Sequence, residues 1–358
     1  MKGKRLLMLI SVVCLALAIL AMPFMVACAK PAPAPAPAPG PAPAPAPAPA
    51  PGPEPITLKL VSFLPPPVMY GAGLSTAWFV DRVNSRAKGE LVIDWIGGPE
   101  VVPMFEQFDA CAEGVVDIYQ GPGSHYEPRI PHVAVLGINP LTPKEERETG
   151  LYDFLNERFH EVGIQYLGRL AKYKPFHIYT NEPVASMADF KGMKISGQGT
   201  YHLGFIEQLG AAPVSIPHTD VYSAVERGLV DACCYEPATL YVNGVYEVVD
   251  YIVTPAYKSW DNMTLLMNLN TWNSLPEHLQ KLIMEDVMPS IEGEVLFRDY
   301  GMAMMYTDWA KAEGLEVIEL PKAEQEAFTS IYAQVAWDIM EESISAEDFS
   351  KLKELSTK

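Results

Sequence analysis

Residues 105–120 read FEQFDACAEGVVDIYQ, and residues 221–235 read VYSAVERGLVDACCY. Each is a helical pattern stopped by glycine, then G-x-V-D, then an apolar run of strand character. Asp117 and Asp231 hold the same place in the two copies. One unit used twice predicts two similarly built lobes, the layout of a clamshell binding protein.

The surrounding sequence keeps the same grammar. Strand patterns cover 57–63, 91–98, 115–121, IQYLGRL (164–170), FHIYTN (176–181), MKIS (193–196), 229–235, 264–272 and 315–320. Helical spacing covers 72–89, 104–114, 144–163, 200–210 with Thr200 as N-cap, 219–228 with Thr219 as N-cap, and 321–342. Residues 275–314 are helical over most of their length, with Pro289 as a kink or break. A helix that long exceeds one small lobe and bridges two. The expected fold class is α/β with largely parallel pairing: a two-lobe clamshell resembling periplasmic binding proteins, with a long helix spanning both lobes.

The first 28 residues read as an export leader. Lys2, Lys4 and Arg5 precede an apolar run, and MVAC (25–28) has the form of a lipobox, which marks Cys28 for lipidation. The alternative is an uncleaved anchor, and both place the rest outside the cytoplasm, in the periplasm or on the outer face of the cell membrane. Residues 29–55 are Pro/Ala-rich, with the run proper at 31–55. Such a stretch favours polyproline II and makes a tether of roughly 75 Å at about 3.1 Å per residue. The folded part then divides into residues 56–173 with 262–300 as lobe one and 174–261 with 301–358 as lobe two.

The chain of 358 residues carries a formal charge of −18. That excess of acid argues against nucleic acid as a partner. Of five cysteines, Cys14 lies in the leader, Cys28 is the lipid site, and Cys111 falls in a helix. Cys233 and Cys234 are strand neighbours that point to opposite faces, so they make a poor disulfide. The seven histidines are scattered, without HExxH, and no GxSxG, Walker loop or dinucleotide fingerprint occurs. No enzyme chemistry, cofactor or metal site is expected.

The run from DFKGMKIS (189–196) through LGAAPVSIPHTDVYSAVERGLVDACCYEPA, together with NLNTWNSLPEHLQKLI, resembles the solute-binding subunits of tripartite ATP-independent periplasmic (TRAP) transporters, the DctP-like family. The resemblance extends over residues 57–345. It implies chain crossings between lobes near Tyr173, Asp261 and Tyr300, and closure on a small polar organic molecule, an organic acid. It also implies delivery of that ligand to a small and a large integral membrane subunit. A sensory receptor of the same fold is the rival expectation.

In that family the strand reading KIS here ends KIR, and its arginine pairs with the ligand carboxylate. Ser196 stands in its place and carries no charge. Three replacements remain open. Arg169, with Lys172 and Lys174 in GRLAKYK, could supply the cation. The helix start after SGQGT could hold the anion on free N–H groups, aided by Ser196 and Gln198. Or the ligand is neutral or zwitterionic and is held by aromatic rings, with Tyr70, Tyr126, Tyr201, Tyr235 and Trp260 as candidates. Tyr235 and Glu236 end a strand where ligands of α/β sheets lie. Trp260 and Asn262 sit near the second crossing, and Phe105 is placed in the core.

Overall fold

The computed structural model describes residues 54–66 and 71–357, and Pro53–Lys358 forms one compact unit. The leader, Cys28, nearly all of the tether and Tyr70 lie outside the described residues.

Eleven strands among the described residues form two sheets. They are β1 (Ile56–Ser62), β2 (Leu91–Gly97), β3 (Ile118–Pro122), β4 (Ile164–Arg169), β5 (Tyr173–Thr180), β6 (Lys194–Gly197), β7 (Ala212–Ser215), β8 (Ala232–Tyr235), β9 (Tyr251–Trp260), β10 (Met263–Asn268) and β11 (Glu316–Glu319). The first sheet has the order β2-β1-β3-β10-β4, the second β11-β9-β5-β8-β6-β7. The chain passes from the first to the second at residues 170–172 and returns at 261–262.

Those passages explain why pairing is mixed rather than largely parallel. The strands β1, β2 and β3 pair in parallel, as do β6, β7 and β8. But β10 returns from the other sheet and runs antiparallel to both β3 and β4. Likewise β5 enters the second sheet antiparallel to β8 and β9. The strand β9 was absent from the sequence expectation, because Pro255 interrupts its middle and lacks the N–H a ladder needs.

The repeated unit is built the same way twice. Asp117 Oδ2 accepts from the Lys59 N–H on β1 at 2.8 Å, and the Asp117 N–H donates to Lys59 O at 3.0 Å. Asp231 makes the same pair of bonds with Lys194 on β6, both at 2.8 Å. Each aspartate thus sets the register of its own strand against the first strand of its βα unit.

The long helix runs without interruption over Glu277–Lys281, a π-helical turn Leu282–Val287, and Met288–Ala312. Pro289 does not break it. The wider π turn just before it gives the ring room that a regular α-helix would deny. Ile283, Val287, Met288, Ile291 and Val295 pack in one core with Leu58, Leu60 and Ile118 of the first sheet. Near its other end Ala310 packs with Ile252 and Cys233 of the second.

Three further expectations are corrected. Residues 144–163 form two helices, Pro143–Glu148 and Leu151–Glu161, separated at Gly150, whose φ of 84° cannot continue a helix. Neither Thr200 nor Thr219 caps: Gly199 is the N-cap of Thr200–Gln208, and a 3-10 turn, His218–Asp220, precedes Val221–Glu226. After Lys322–Ser343, a last helix, Ala346–Leu355, returns to the first sheet's side. Its Phe349, Leu352 and Leu355 share a core with Leu151, Leu155 and Phe159.

Candidate functional site

The C-terminal ends of the parallel strands of both sheets face one cavity of about 140 Å³. Phe63, Pro122 and Ser124 line it from the ends of β1 and β3, and Gln198, Tyr235 and Glu236 from the ends of β6 and β8. An apolar cavity of about 150 Å³ holds a benzene-sized guest, so this space suits a small molecule. In the second sheet Phe176 and Lys258 are register partners on β5 and β9, Tyr235 ends β8 opposite His177, and Phe176, Lys258, Tyr235 and Gln198 all line the cavity.

The chain crossings form its back wall and bond to one another. The Lys172 and Tyr173 N–H groups donate to Asp299 Oδ2 of the long helix at 2.8 and 3.3 Å. The Asp261 N–H donates to Lys172 O at 2.9 Å. The Lys174 ammonium lies 3.1 Å from Asp261 Oδ2. Burial alone would raise Asp261, but the Lys174 and Lys258 ammoniums bring it down to about 2. Asn262 closes the corner, and only a glycine at 123 permits this: a Cβ there would meet Asn262 Nδ2 at 2.6 Å.

The expected site residues divide. Gln198, Tyr235, Glu236 and Asn262 line the cavity, as does Lys174. Glu236 is occupied with its own helix, Pro237–Val242: its two oxygens accept from the Ala238 N–H and the Thr239 hydroxyl, both at 2.6 Å. Tyr235 Oη is buried with no hydrogen-bond partner, and so is Ser196 Oγ. Ser196 itself is not part of the wall. It is fully buried behind it.

Arg169 is not on the wall either. It is fully buried, with Nη1 at 2.5 Å from Glu146 Oε1 and Nη2 donating to Leu136 O at 2.6 Å. Its charge is answered inside the first lobe. Lys172 is turned the same way, donating to Asn139 O at 2.8 Å and lying 3.6 Å from Glu146. Tyr126 belongs to the core: it stacks on Phe108 at 4.4 Å, and its hydroxyl is 2.6 Å from Thr264 Oγ1. Trp260 packs edge-on to Tyr173, with the Lys172 ammonium 4.9 Å from its ring, away from the cavity. Phe105, expected in the core, is 62% exposed.

The helix start after SGQGT has one of the protein's own carboxyls beside it. Glu127, from the segment after β3, lies at the head of Thr200–Gln208, with its Oε2 3.6 Å from the position of a Gly199 Cβ, and the Thr200 N–H favours its ionised form. Gly199 makes this approach possible, since a Cβ there would lie 2.9 Å from Ser124 Cβ. Burial pushes the Glu127 carboxyl up to about 8, against the pull of Lys258. Its Oε2 is buried without a partner.

Sequence reasoning missed Glu127, Lys258, His202 and His218. Glu127 adjoins the named Tyr126, and Lys258 stands two residues before the named Trp260, in the strand that Pro255 concealed. Burial lowers both histidines, His218 to about 4, so they are neutral near pH 7. Burial likewise lowers Lys258, to about 8. No group of three metal-capable side chains, and no helix long and apolar enough to cross a membrane, occurs among the described residues.

This architecture has known counterparts. The structure superposes on DctP7 of Bordetella pertussis, an extracytoplasmic solute receptor binding pyroglutamic acid, with a TM-score of 0.73 and 20% identity, covering 84% of this chain and 99% of that one. It also matches a TRAP periplasmic solute-binding protein of Rhodoferax ferrireducens with bound malonate, at a TM-score of 0.70 and 21% identity over 84% and 96% of the two chains. In sequence the chain is similar to the monocarboxylate 2-oxoacid-binding periplasmic protein of Nostoc sp., 22% identical over 332 residues, or 81% of this chain and 85% of that protein. The family model of bacterial extracellular solute-binding proteins, family 7, spans residues 71–343. Two sheets meeting at their strand ends and the family match over most of the chain agree, and the chain belongs to the DctP family of extracellular solute-binding proteins.

Proposed function

We propose that the protein captures a small organic acid in the cavity between its two sheets and delivers it to the small and large membrane subunits of a TRAP transporter. The lobes that close on the ligand are residues 56–173 with 262–300 and the last helix, Ala346–Leu355, and residues 174–261 with 301–345. The observation that carries this is the cavity itself, walled by strand ends of both sheets and backed by the crossings that a hinge would use. Relatives named for monocarboxylate 2-oxoacids, pyroglutamic acid and malonate support an acid as the ligand class. The protein acts by binding, without catalysis.

The lipid on Cys28 holds the protein at the membrane, and the Pro/Ala tether lets the binding unit reach outward. A thermal-shift screen of mono- and dicarboxylates, amino acids and neutral polyols tests the ligand class. A ligand at 100 times its Kd adds about 2.7 kcal/mol. Stabilisation by at least one acid is expected, and stabilisation by none overturns the proposal. Metabolic labelling with a radioactive fatty acid tests the anchor: the wild-type protein should carry the label and Cys28→Ala should not, and label retained in Cys28→Ala refutes lipidation there.

A further inference from the structure

We infer that the Lys258 ammonium is the anchor for the ligand's carboxylate, replacing the cation that Ser196 cannot supply, and that the site selects monocarboxylates. This rests on the proposed capture of an organic acid.

Lys258 lies on β9, only 6% exposed, and lines the cavity. Its Nζ faces the rings of Phe176 and Tyr332, 4.7 and 5.1 Å from their centroids. No carboxylate among the described residues forms a contact ion pair with it; Asp261 and Glu127 attract it from beyond contact distance. Other cations near the cavity are held elsewhere: Lys174 by Asp261 and Arg169 by Glu146, while Lys172 is turned into the first lobe, bonded to Asn139 O and sharing Glu146. An ammonium removed from water without a counter-ion is costly, and ring faces compensate only in part. An arriving carboxylate supplies what is missing. The main chain at Gly137 is packed close to the Lys258 side chain, with the position of a Gly137 Cβ 3.8 Å from Nζ, which limits where the ammonium can move.

Selection against a second negative charge follows from the rest of the lining. Glu127, Glu236, Asp261 and Asp299 face the same space, against Lys174 and Lys258 alone among lysines and arginines. Glu127 is largely protonated near pH 7, Asp261 is held by Lys174 and Asp299 by Arg298, so a second ligand carboxylate meets Glu236 and no free cation. The unpartnered Oε2 of Glu127 is available to a ligand hydroxyl, or, when protonated, to a ligand carbonyl.

The test is calorimetric titration of wild type, Lys258→Met and Lys258→Arg with acetate, pyruvate, lactate, methyl pyruvate, malonate and alanine. The expected result is binding of a monocarboxylate by wild type, no binding of methyl pyruvate, and at least 100-fold weaker malonate. Lys258→Met should lose the monocarboxylate at least 100-fold, while its unliganded unfolding temperature stays level or rises. Lys258→Arg should restore most of the affinity. A monocarboxylate bound by Lys258→Met within threefold of wild type overturns the inference and leaves organic-acid capture standing. If wild type binds none of the acids and takes only alanine or the ester, the acid proposal itself fails and the inference falls with it. Preference for malonate overturns the selectivity.

Discussion

Replacing Arg169 with methionine separates two roles that sequence alone leaves joined. The guanidinium pairs with Glu146 and caps the Leu136 carbonyl, entirely inside the first lobe. Removing one partner of a buried ion pair costs about 3–5 kcal/mol. Lys172, 3.6 Å from Glu146, still compensates part of that charge and keeps the pair's cost at the low end. The stranded Leu136 carbonyl adds about 1 kcal/mol. The sum is about 4 kcal/mol, or about 8 °C in Tm at roughly 2 °C per kcal/mol for a chain of this size. The assay is thermal unfolding without ligand, followed by titration with a bound acid at a temperature where the variant is fully folded. Affinity should stay within threefold of wild type. A double-mutant cycle with Glu146→Leu should show a coupling of about 2 kcal/mol. A variant that unfolds at the wild-type temperature yet no longer binds the acid would refute this reasoning and return Arg169 to the ligand.

Three further outcomes are expected. Glu127, raised to about 8, holds its proton more tightly folded than unfolded, so its contribution to stability is full below pH about 4.5 and is lost as pH rises to about 8. Lys258, lowered to about 8, loses its proton more readily when folded, so stability recovers between pH about 8 and 10.5. Tm of the unliganded protein should dip near pH 8, and Glu127→Gln should flatten the acid side alone; an unchanged acid limb in that variant contradicts the assignment. Asp117→Ala and Asp231→Ala should each cost about 1–2 kcal/mol and add without coupling, since the two clamps lie in different sheets; non-additivity in a denaturant titration counts against independent lobes. Burial raises the thiols of Cys111, Cys233 and Cys234. They should resist iodoacetamide at pH 8 until the protein is unfolded, and labelling of the native protein would show the strand ends to be open.

Local sequence determined much of this molecule. The repeated helix, G-x-V-D and strand needed only short-range periodicity, and its two aspartates do the same work in both copies. The strand ends at Gln198, Tyr235 and Glu236 were legible for the same reason, because an α/β unit delivers its C-terminal end to the cleft. The family was legible from ordered motifs. Which charge is free was not. Arg169, Lys172, Lys174 and Lys258 are equally basic in a sequence. Only the fold brings Glu146 against the first two and Asp261 against the third, and leaves Lys258 without a contact ion pair among the described residues. The same holds for Glu127, which reaches a helix start about 70 residues away in the chain, where the sequence shows only unoccupied N–H groups. Tyr126 packs in a core and Trp260 packs against Tyr173 because neighbouring strands and crossings decide which way a ring packs. Periodicity acts over a few residues and is written locally. Charge pairing and cavity lining depend on contacts between segments far apart in the chain, and the tertiary structure alone decides them.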